Sequence, residues 1–295
     1  MTYSVQVFME VIIRPNAAAA ARLTADFIAA ELRAKPALVL GLATGCTMEA
    51  VYDQLVRLHV EQGLDFSQCK TFNLDEYVGL GADDPYSYRY FMQQRLFGKV
   101  NINVRNTHLP NGLAHDLKAE CAAYEKKIGE SGGIDLQILG IGLNGHMGFN
   151  EPRSDFNSRT RVELLTPMTR KQNAPLFPSP DEMPRRAMTM GVGTILEARH
   201  CLLLATGKAK AEIVAKAFEG PLTTTVTASA SQLHHRFTVI LDAPAASQLK
   251  KIHAPSEQGG GGQNGNRVLN GHFGPPGLYK NGNQPHPVTV RPPPP

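Results

Sequence analysis

The segment Leu139-Gly-Ile-Gly-Leu-Asn-Gly-His-Met-Gly-Phe-Asn-Glu-Pro152 ends an apolar run and then sets an imidazole, His146, and a carboxylate, Glu151, in one glycine-loosened loop. A histidine moves a proton near neutral pH, and a carboxylate within reach orients it and holds its charged form. A second segment, Thr71-Phe-Asn-Leu-Asp-Glu-Tyr-Val-Gly-Leu80, stops another apolar run with the adjacent acids Asp75 and Glu76. Acids in that place serve as a proton-transferring base or as a cap for a helix. A third segment, Ala37-Leu-Val-Leu-Gly-Leu-Ala-Thr-Gly-Cys-Thr47, breaks from an apolar strand into a small-residue loop before the amphipathic stretch 48–60. Backbone amides at such a junction converge and the helix dipole adds positive potential, so an anion or phosphate fits there. No Gly-Lys-Ser/Thr follows, which excludes the ATP-type phosphate loop.

These groups need a frame. Residues 134–141 read as a buried strand, so His146 and Glu151 follow a strand's carboxyl end, where open α/β sheets place their ligands. Further strands are expected near 37–42, 69–74, 200–205 and 236–241, and helices over 16–34, 48–62, 85–97, 117–130 and 208–219. Their alternation argues for an α/β fold with a mostly parallel sheet covered by helices on both faces. Gly140-Ile-Gly142 runs on to Asn-Gly-His rather than to a helix-opening third glycine, so no dinucleotide fingerprint is satisfied and NAD is not expected.

Composition sets the outer bounds. The first roughly 250 residues can bury one sizeable core, which is expected to form a single domain over 1–250. After about Lys251 the chain turns rich in Gly, Asn and Pro, through Gly259-Gly-Gly-Gly262 to Pro292-Pro-Pro-Pro295, and residues 251–295 read as a disordered tail. A net charge of +4 over 295 residues is too slight to argue for nucleic acid. Cys46, Cys69, Cys121 and Cys201 lack metal-ligand or disulfide-framework spacing, so no metal is expected. With no signal segment and no run of membrane-spanning length, a cytoplasmic protein with free thiols is the expectation.

In this order and spacing the three segments resemble the glucosamine-6-phosphate deaminase (isomerase) family. That family carries Gly-Leu-x-Thr-Gly-x-Thr, Asn-Leu-Asp-Glu-Tyr and Gly-x-Gly-x-Asp/Asn-Gly-His-x-x-Phe-Asn-Glu-Pro. The likeness continues through Ser158-Arg-Thr-Arg161, Ala187-Met-Thr-Met-Gly-Val-Gly-Thr194, Ala205-Thr-Gly-Lys-Ala-Lys210 and Gln232-Leu-His234, and covers about residues 1 to 249. The resemblance implies a modified Rossmann-like fold and conversion of glucosamine 6-phosphate to fructose 6-phosphate and ammonia without metal or cofactor. The same fold also serves galactosamine-6-phosphate deaminases and 6-phosphogluconolactonases, and a non-catalytic sugar-phosphate sensor is a further alternative. The only partner implied is a small amino sugar phosphate, bound by a monomer or a homo-oligomer, with neither nucleic acid nor membrane.

The resemblance assigns Asp75 to enolisation, His146 to ring opening and Glu151 to orienting His146. Asn144 stands where much of the family has aspartate, and its neutral amide is expected to position the His146 ring by a hydrogen bond. Thr44, Gly45, Cys46 and Thr47 would supply loop donors to the phosphate, and Lys210 the cation. Pro175 stands where the family usually has a phosphate-gripping arginine, leaving Arg170 or Lys171 to compensate. Ser154 and Arg161 match the effector site of the allosterically activated branch, but Glu163 replaces a lysine there. That charge reversal argues against activation by a phosphorylated effector.

Overall fold

The computed structural model describes residues 8–250. Its strands are β1 (Phe8–Arg14), β2 (Val39–Leu42), β3 (Lys70–Asn73), β4 (Asp75–Tyr77), β5 (Thr107–His108), β6 (Leu136–Leu139), β7 (Arg161–Leu164), β8 (Arg186–Thr189), β9 (His200–Ala205) and β10 (Arg236–Asp242). One sheet, in the order β1-β10-β9-β6-β2-β3-β5, is parallel throughout. Every residue of β2, β6 and β9 is buried, and successive strand residues point to opposite faces, so both faces are covered.

The covering helices are α1 (Ala17–Ala34), α2 (Cys46–Gln62), α3 (Tyr88–Arg95), α4 (Leu117–Glu130), α5 (Pro167–Asn173), α6 (Val192–Leu196), α7 (Ala211–Phe218) and α8 (Ala243–Ala246). Helix α1 starts where the Asn16 side chain accepts the Ala19 amide at 2.9 Å, and it buries Ala20, Leu23, Ile28 and Leu32. Burying each Leu or Ile is worth about 1.5–3 kcal/mol, so this stripe rather than the exposed face holds the helix down. Helix α2 stops at Gly63, whose left-handed φ of 65° lets its amide reach back to the His59 carbonyl.

The chain leaves β2 for β3 on one side and returns at β6 on the other, so the loops after β2 and β6 diverge at the carboxyl ends of the strands. Such a switch point opens a crevice. The β2–β6 pairing needs a residue without a β-carbon, because one on Gly41 would lie 2.0 Å from Gln137 Oε1.

A small antiparallel sheet, β4-β8-β7, was not expected; β4 follows β3 directly, while β7 and β8 are inserted between β6 and β9. Strand β7, Arg-Val-Glu-Leu, alternates polar and apolar residues over only four positions, too few to mark a strand, and its burial does not follow the alternation. Strand β1 and the two-residue β5 were also not foreseen, the helix expected over 85–97 contracts to α3, and residues 208–210 form a 3-10 turn before α7. A second apolar cluster of Tyr77, Phe149, Leu165, Phe177, Met183 and Ala187 ties the small sheet to the segment after α5. The tail expected from residue 251 lies outside the described residues. Among the described residues no helix is long and apolar enough to cross a membrane.

Candidate active site

Strand β3 ends at Asn73, and the Leu74 amide still bonds the Leu42 carbonyl before the chain enters the small sheet with Asp75 opposite Thr189. Asp75 and Glu76 therefore open a strand instead of only stopping one. Because their side chains leave that strand on opposite sides, the two acids part company. Asp75 faces a cavity of about 440 Å³ at the switch point. Its carboxyl is buried and pushed well above the usual range, first by desolvation and then by the neighbouring charge of Glu76. Glu76 faces away and accepts the amides of Tyr77 and Tyr88 on Oε1 (2.8 and 2.9 Å) and that of Arg89 on Oε2 (2.8 Å). It thus caps α3 from a distance, beside the N-cap Ser87 that accepts the Tyr90 amide. Burial raises Glu76 to about 7, against the pull of those amides.

The loop after β6 is pinned by the small sheet and by its own turns. Phe149 N–H donates to Thr189 Oγ1 (3.0 Å) and Asn150 Nδ2 to the Met190 carbonyl (2.8 Å), while the Gly142 amide bonds the His146 carbonyl (2.9 Å). The His146 ring faces the cavity. Behind it lies Glu151, with Oε2 at 3.7 Å from Nδ1, an ion-pair rather than a hydrogen-bond distance. Desolvation would raise the Glu151 carboxyl, but the His146 ring, the Thr169 hydroxyl and the Thr166 amide outweigh it and pull the group to about 2. Glu151 is therefore ionised at neutral pH.

Asn144 requires a correction. Its side chain does not reach the ring: Nδ2 donates to Glu151 Oε2 at 2.8 Å and Oδ1 accepts the His146 backbone amide at 3.2 Å. An amide can do both at once because it carries a donor and an acceptor on one planar group. Asn144 therefore holds the carboxylate and the loop, and neither it nor Glu151 lines the cavity.

At the other end of the cavity are Thr44, Gly45, Cys46, Thr47 and Lys210. Helix α2 begins two residues earlier than expected, so Cys46 and Thr47 are its first residues and Gly45, at φ 107°, its N-cap. Their amides add to the positive end of a 17-residue helix. Lys210 Nζ reaches across to the Ile141 carbonyl at 2.6 Å, and burial lowers its affinity for its proton.

Tyr88, Gln172 and Asn173 also line the cavity and were not singled out from the sequence. Gln172 and Asn173 arrive on the last turn of α5, far along the chain, with no motif to mark them. Pro175 lines the cavity as well, whereas Arg170 and Lys171 line a neighbouring groove with Pro178 and Pro180. Neither takes the compensating place expected of it. Arg161 is engaged internally, donating to Ser154 Oγ and Asn150 Oδ1 at 2.8 Å each and pairing with Glu163 at 2.9 Å. Among the described residues no group of three or more His, Cys, Asp or Glu is placed to hold a metal ion.

The fold and the cavity together define a class of α/β protein: a switch-point crevice with a carboxyl and an imidazole at one end, and a helix N-terminus and a lysine at the other. The chain belongs to the glucosamine-6-phosphate isomerases/6-phosphogluconolactonase family, whose model matches residues 15–239. It is 48% identical over 250 residues to glucosamine-6-phosphate deaminase of Geobacillus sp. (strain WCH70), covering 83% of this chain and 100% of that protein. To glucosamine-6-phosphate deaminase 1 of Bacillus subtilis (strain 168) it is 50% identical over 228 residues, covering 77% and 93%. Among solved structures it is similar to a monomeric glucosamine-6-phosphate deaminase, with a TM-score of 0.80 and 46% identity, over 81% of this chain and 100% of that one. The 6-phosphogluconolactonase from Trypanosoma cruzi, at 22% identity and a TM-score of 0.64 over 84% and 99% of the two chains, shares the fold.

Proposed function

We propose that the chain converts glucosamine 6-phosphate and water into fructose 6-phosphate and ammonia, a step in the breakdown of amino sugars. The observation that carries this reading is the sharing of one cavity by Asp75 and His146 with the N-terminus of α2 and Lys210. The phosphate would sit on the amides of Gly45, Cys46 and Thr47 with Thr44 and Lys210 beside it, and Gln172 is a donor-bearing side chain that α5 adds to the same cavity. That placement directs the sugar carbons toward Asp75 and His146.

The chemistry then asks for two proton relays. His146 takes the proton of the anomeric hydroxyl and returns one to the ring oxygen, which opens the sugar. Asp75 next removes the C2 proton, made acidic by the new C1 carbonyl, and passes it to C1. A carboxyl whose burial makes it hold a proton more tightly is the stronger base once ionised, as this step requires. The resulting C2 imine adds water and releases ammonia. Glu151 keeps its charge behind His146 and stabilises the imidazolium as it forms.

That the similar solved structure is of a monomeric glucosamine-6-phosphate deaminase supports a site built from one copy of the chain. The four cysteines are free, which suits the reducing cytoplasm where we place the enzyme. A coupled assay of ammonia release from the gluco and galacto amino sugar phosphates tests the reading. Turnover of the gluco substrate is expected to dominate. Hydrolysis of 6-phosphogluconolactone with no ammonia from either amino sugar would replace it with a lactonase.

A further inference from the structure

The back of the His146 ring is supplied by a hydroxyl that the reaction scheme above does not use. Thr169 Oγ1 stands 3.5 Å from Nδ1, closer than the Glu151 oxygen at 3.7 Å. Glu151 is already committed elsewhere, with Oε2 taking the Asn144 amide at 2.8 Å and Oε1 the Thr166 amide at 3.0 Å. Thr169 is fully buried, so its hydroxyl must find partners inside the protein. Its oxygen accepts from Thr166 Oγ1 at 3.2 Å, and the partners that remain in reach are the ring and the carboxylate.

We propose that Thr169 is a positioning residue. Its hydroxyl bridges His146 Nδ1 and Glu151, accepting from Nδ1–H and donating to the carboxylate, and so keeps the Nε2 lone pair free to take a proton from the sugar. Catalytic contacts are commonly long without ligand and tighten when it binds, and α5 provides the means. The first turn of that helix carries Thr169, and its last turn carries Gln172 and Asn173 at the cavity. Asn173 Nδ2 donates to the Thr169 carbonyl at 3.0 Å, so the two ends are joined within one short helix. A sugar phosphate that engages Gln172 or Asn173 is thereby coupled to Thr169 through the same helix.

The inference rests on His146 acting as the base of the proposed deaminase, and its test separates the two claims. Thr169→Val keeps the shape and removes the hydroxyl; Thr169→Ser restores it. The valine variant should lose about tenfold or more in kcat with KM nearly unchanged, while serine stays close to wild type. Nitrogen-15 NMR of the His146 ring should report the Nδ1–H tautomer in wild type and in the serine variant, and a mixture of tautomers in the valine variant. That readout does not depend on turnover, so it stands even if wild type releases no ammonia. Should the valine variant fold poorly, Thr169→Ala is read in the same two ways. A ring tautomer and kcat unchanged in a folded hydroxyl-free variant would overturn the proposal.

Discussion

The His146 ring lies where a β-carbon on Gly142 would be: an ideal Cβ there stands 2.4 Å from both Nε2 and Cε1. The glycine is needed for space, since its backbone is not in the left-handed region. Gly142→Ala should displace the ring and reduce kcat by at least about a hundredfold, with a stability loss of about 1–3 kcal/mol from overpacking. The cost should largely vanish when His146→Ala is added, because the clash then has no second partner. A double-mutant cycle by denaturant unfolding measures this, and additive losses would place the clash elsewhere.

The adjacent acids should respond in opposite directions. Asp75 is buried beside Glu76 and its proton affinity is raised, so ionising it near neutral pH costs stability. The sign is that of a raised folded value: its contribution is fully present below the unfolded carboxylate range and is lost as pH rises through the folded value. Asp75→Asn should therefore raise the Tm at pH 8 relative to wild type. Glu76 is raised as well, to about 7, so its variant is compared at pH 5, where its ionisation costs little. There Glu76→Gln, which turns one oxygen that accepts the Tyr88 or Arg89 amide into a donor, should lower the Tm, by roughly 1 kcal/mol of stability. Thermal scans of the two variants showing the same sign would refute this division of roles.

Much of this site can be read in the chain because apolar strands end abruptly in small or titratable residues at 42–47, 73–76 and 139–151. Those breaks survive as the mouths of β2, β3 and β6. What could not be read depends on contacts made across the fold. Nothing local to Asn144 says that its amide would find Glu151 rather than the ring, and nothing near Thr169 says that α5 would bring it behind His146. The residues alone leave base and cap open at Asp75 and Glu76, whereas the fold turns Asp75 to the cavity and Glu76 to the α3 amides. The small sheet is not legible because the alternation of Arg161-Val-Glu-Leu164 lasts only four residues and buries neither face, so it does not stand out from loop sequence.

Asn144→Asp sets a carboxylate where an amide now donates to Glu151 at 2.8 Å. Two like charges at that separation repel, so Glu151 should rise from about 2 and the acidic limb of the kcat/KM profile should move upward by about one pH unit. Substantial activity should persist at higher pH. Superimposable acidic limbs for the two proteins would mean that the Asn144–Glu151 bond does not tune the site.

Acid stability should be limited at the opposite end of the sheet. His200 is buried, with Nε2 on Thr238 Oγ1 at 3.0 Å, and burial followed by Arg236, His234 and His235 drops it to about 3. For such a depressed base the unfolded chain binds the extra proton between about pH 6.5 and 3, so its contribution is intact above that window and is lost as pH falls through it. One proton can contribute up to about 1.4 kcal/mol per pH unit. His200→Gln should flatten the fall in unfolding free energy between pH 6 and 4, as followed by urea titrations. An unchanged slope would assign the acid sensitivity to other groups.

The proposed reaction depends on Asp75 to carry the C2 proton to C1. Its most direct test is ammonia release from glucosamine 6-phosphate by wild type and by Asp75→Asn, with substrate binding measured on both. An amide keeps the hydrogen-bonding shape but cannot accept the proton. Turnover by wild type, binding within about threefold in the variant, and ammonia release below about a tenth of wild type are expected. Wild-type protein that releases no ammonia, or an asparagine variant that retains more than that tenth, would contradict the proposed reaction.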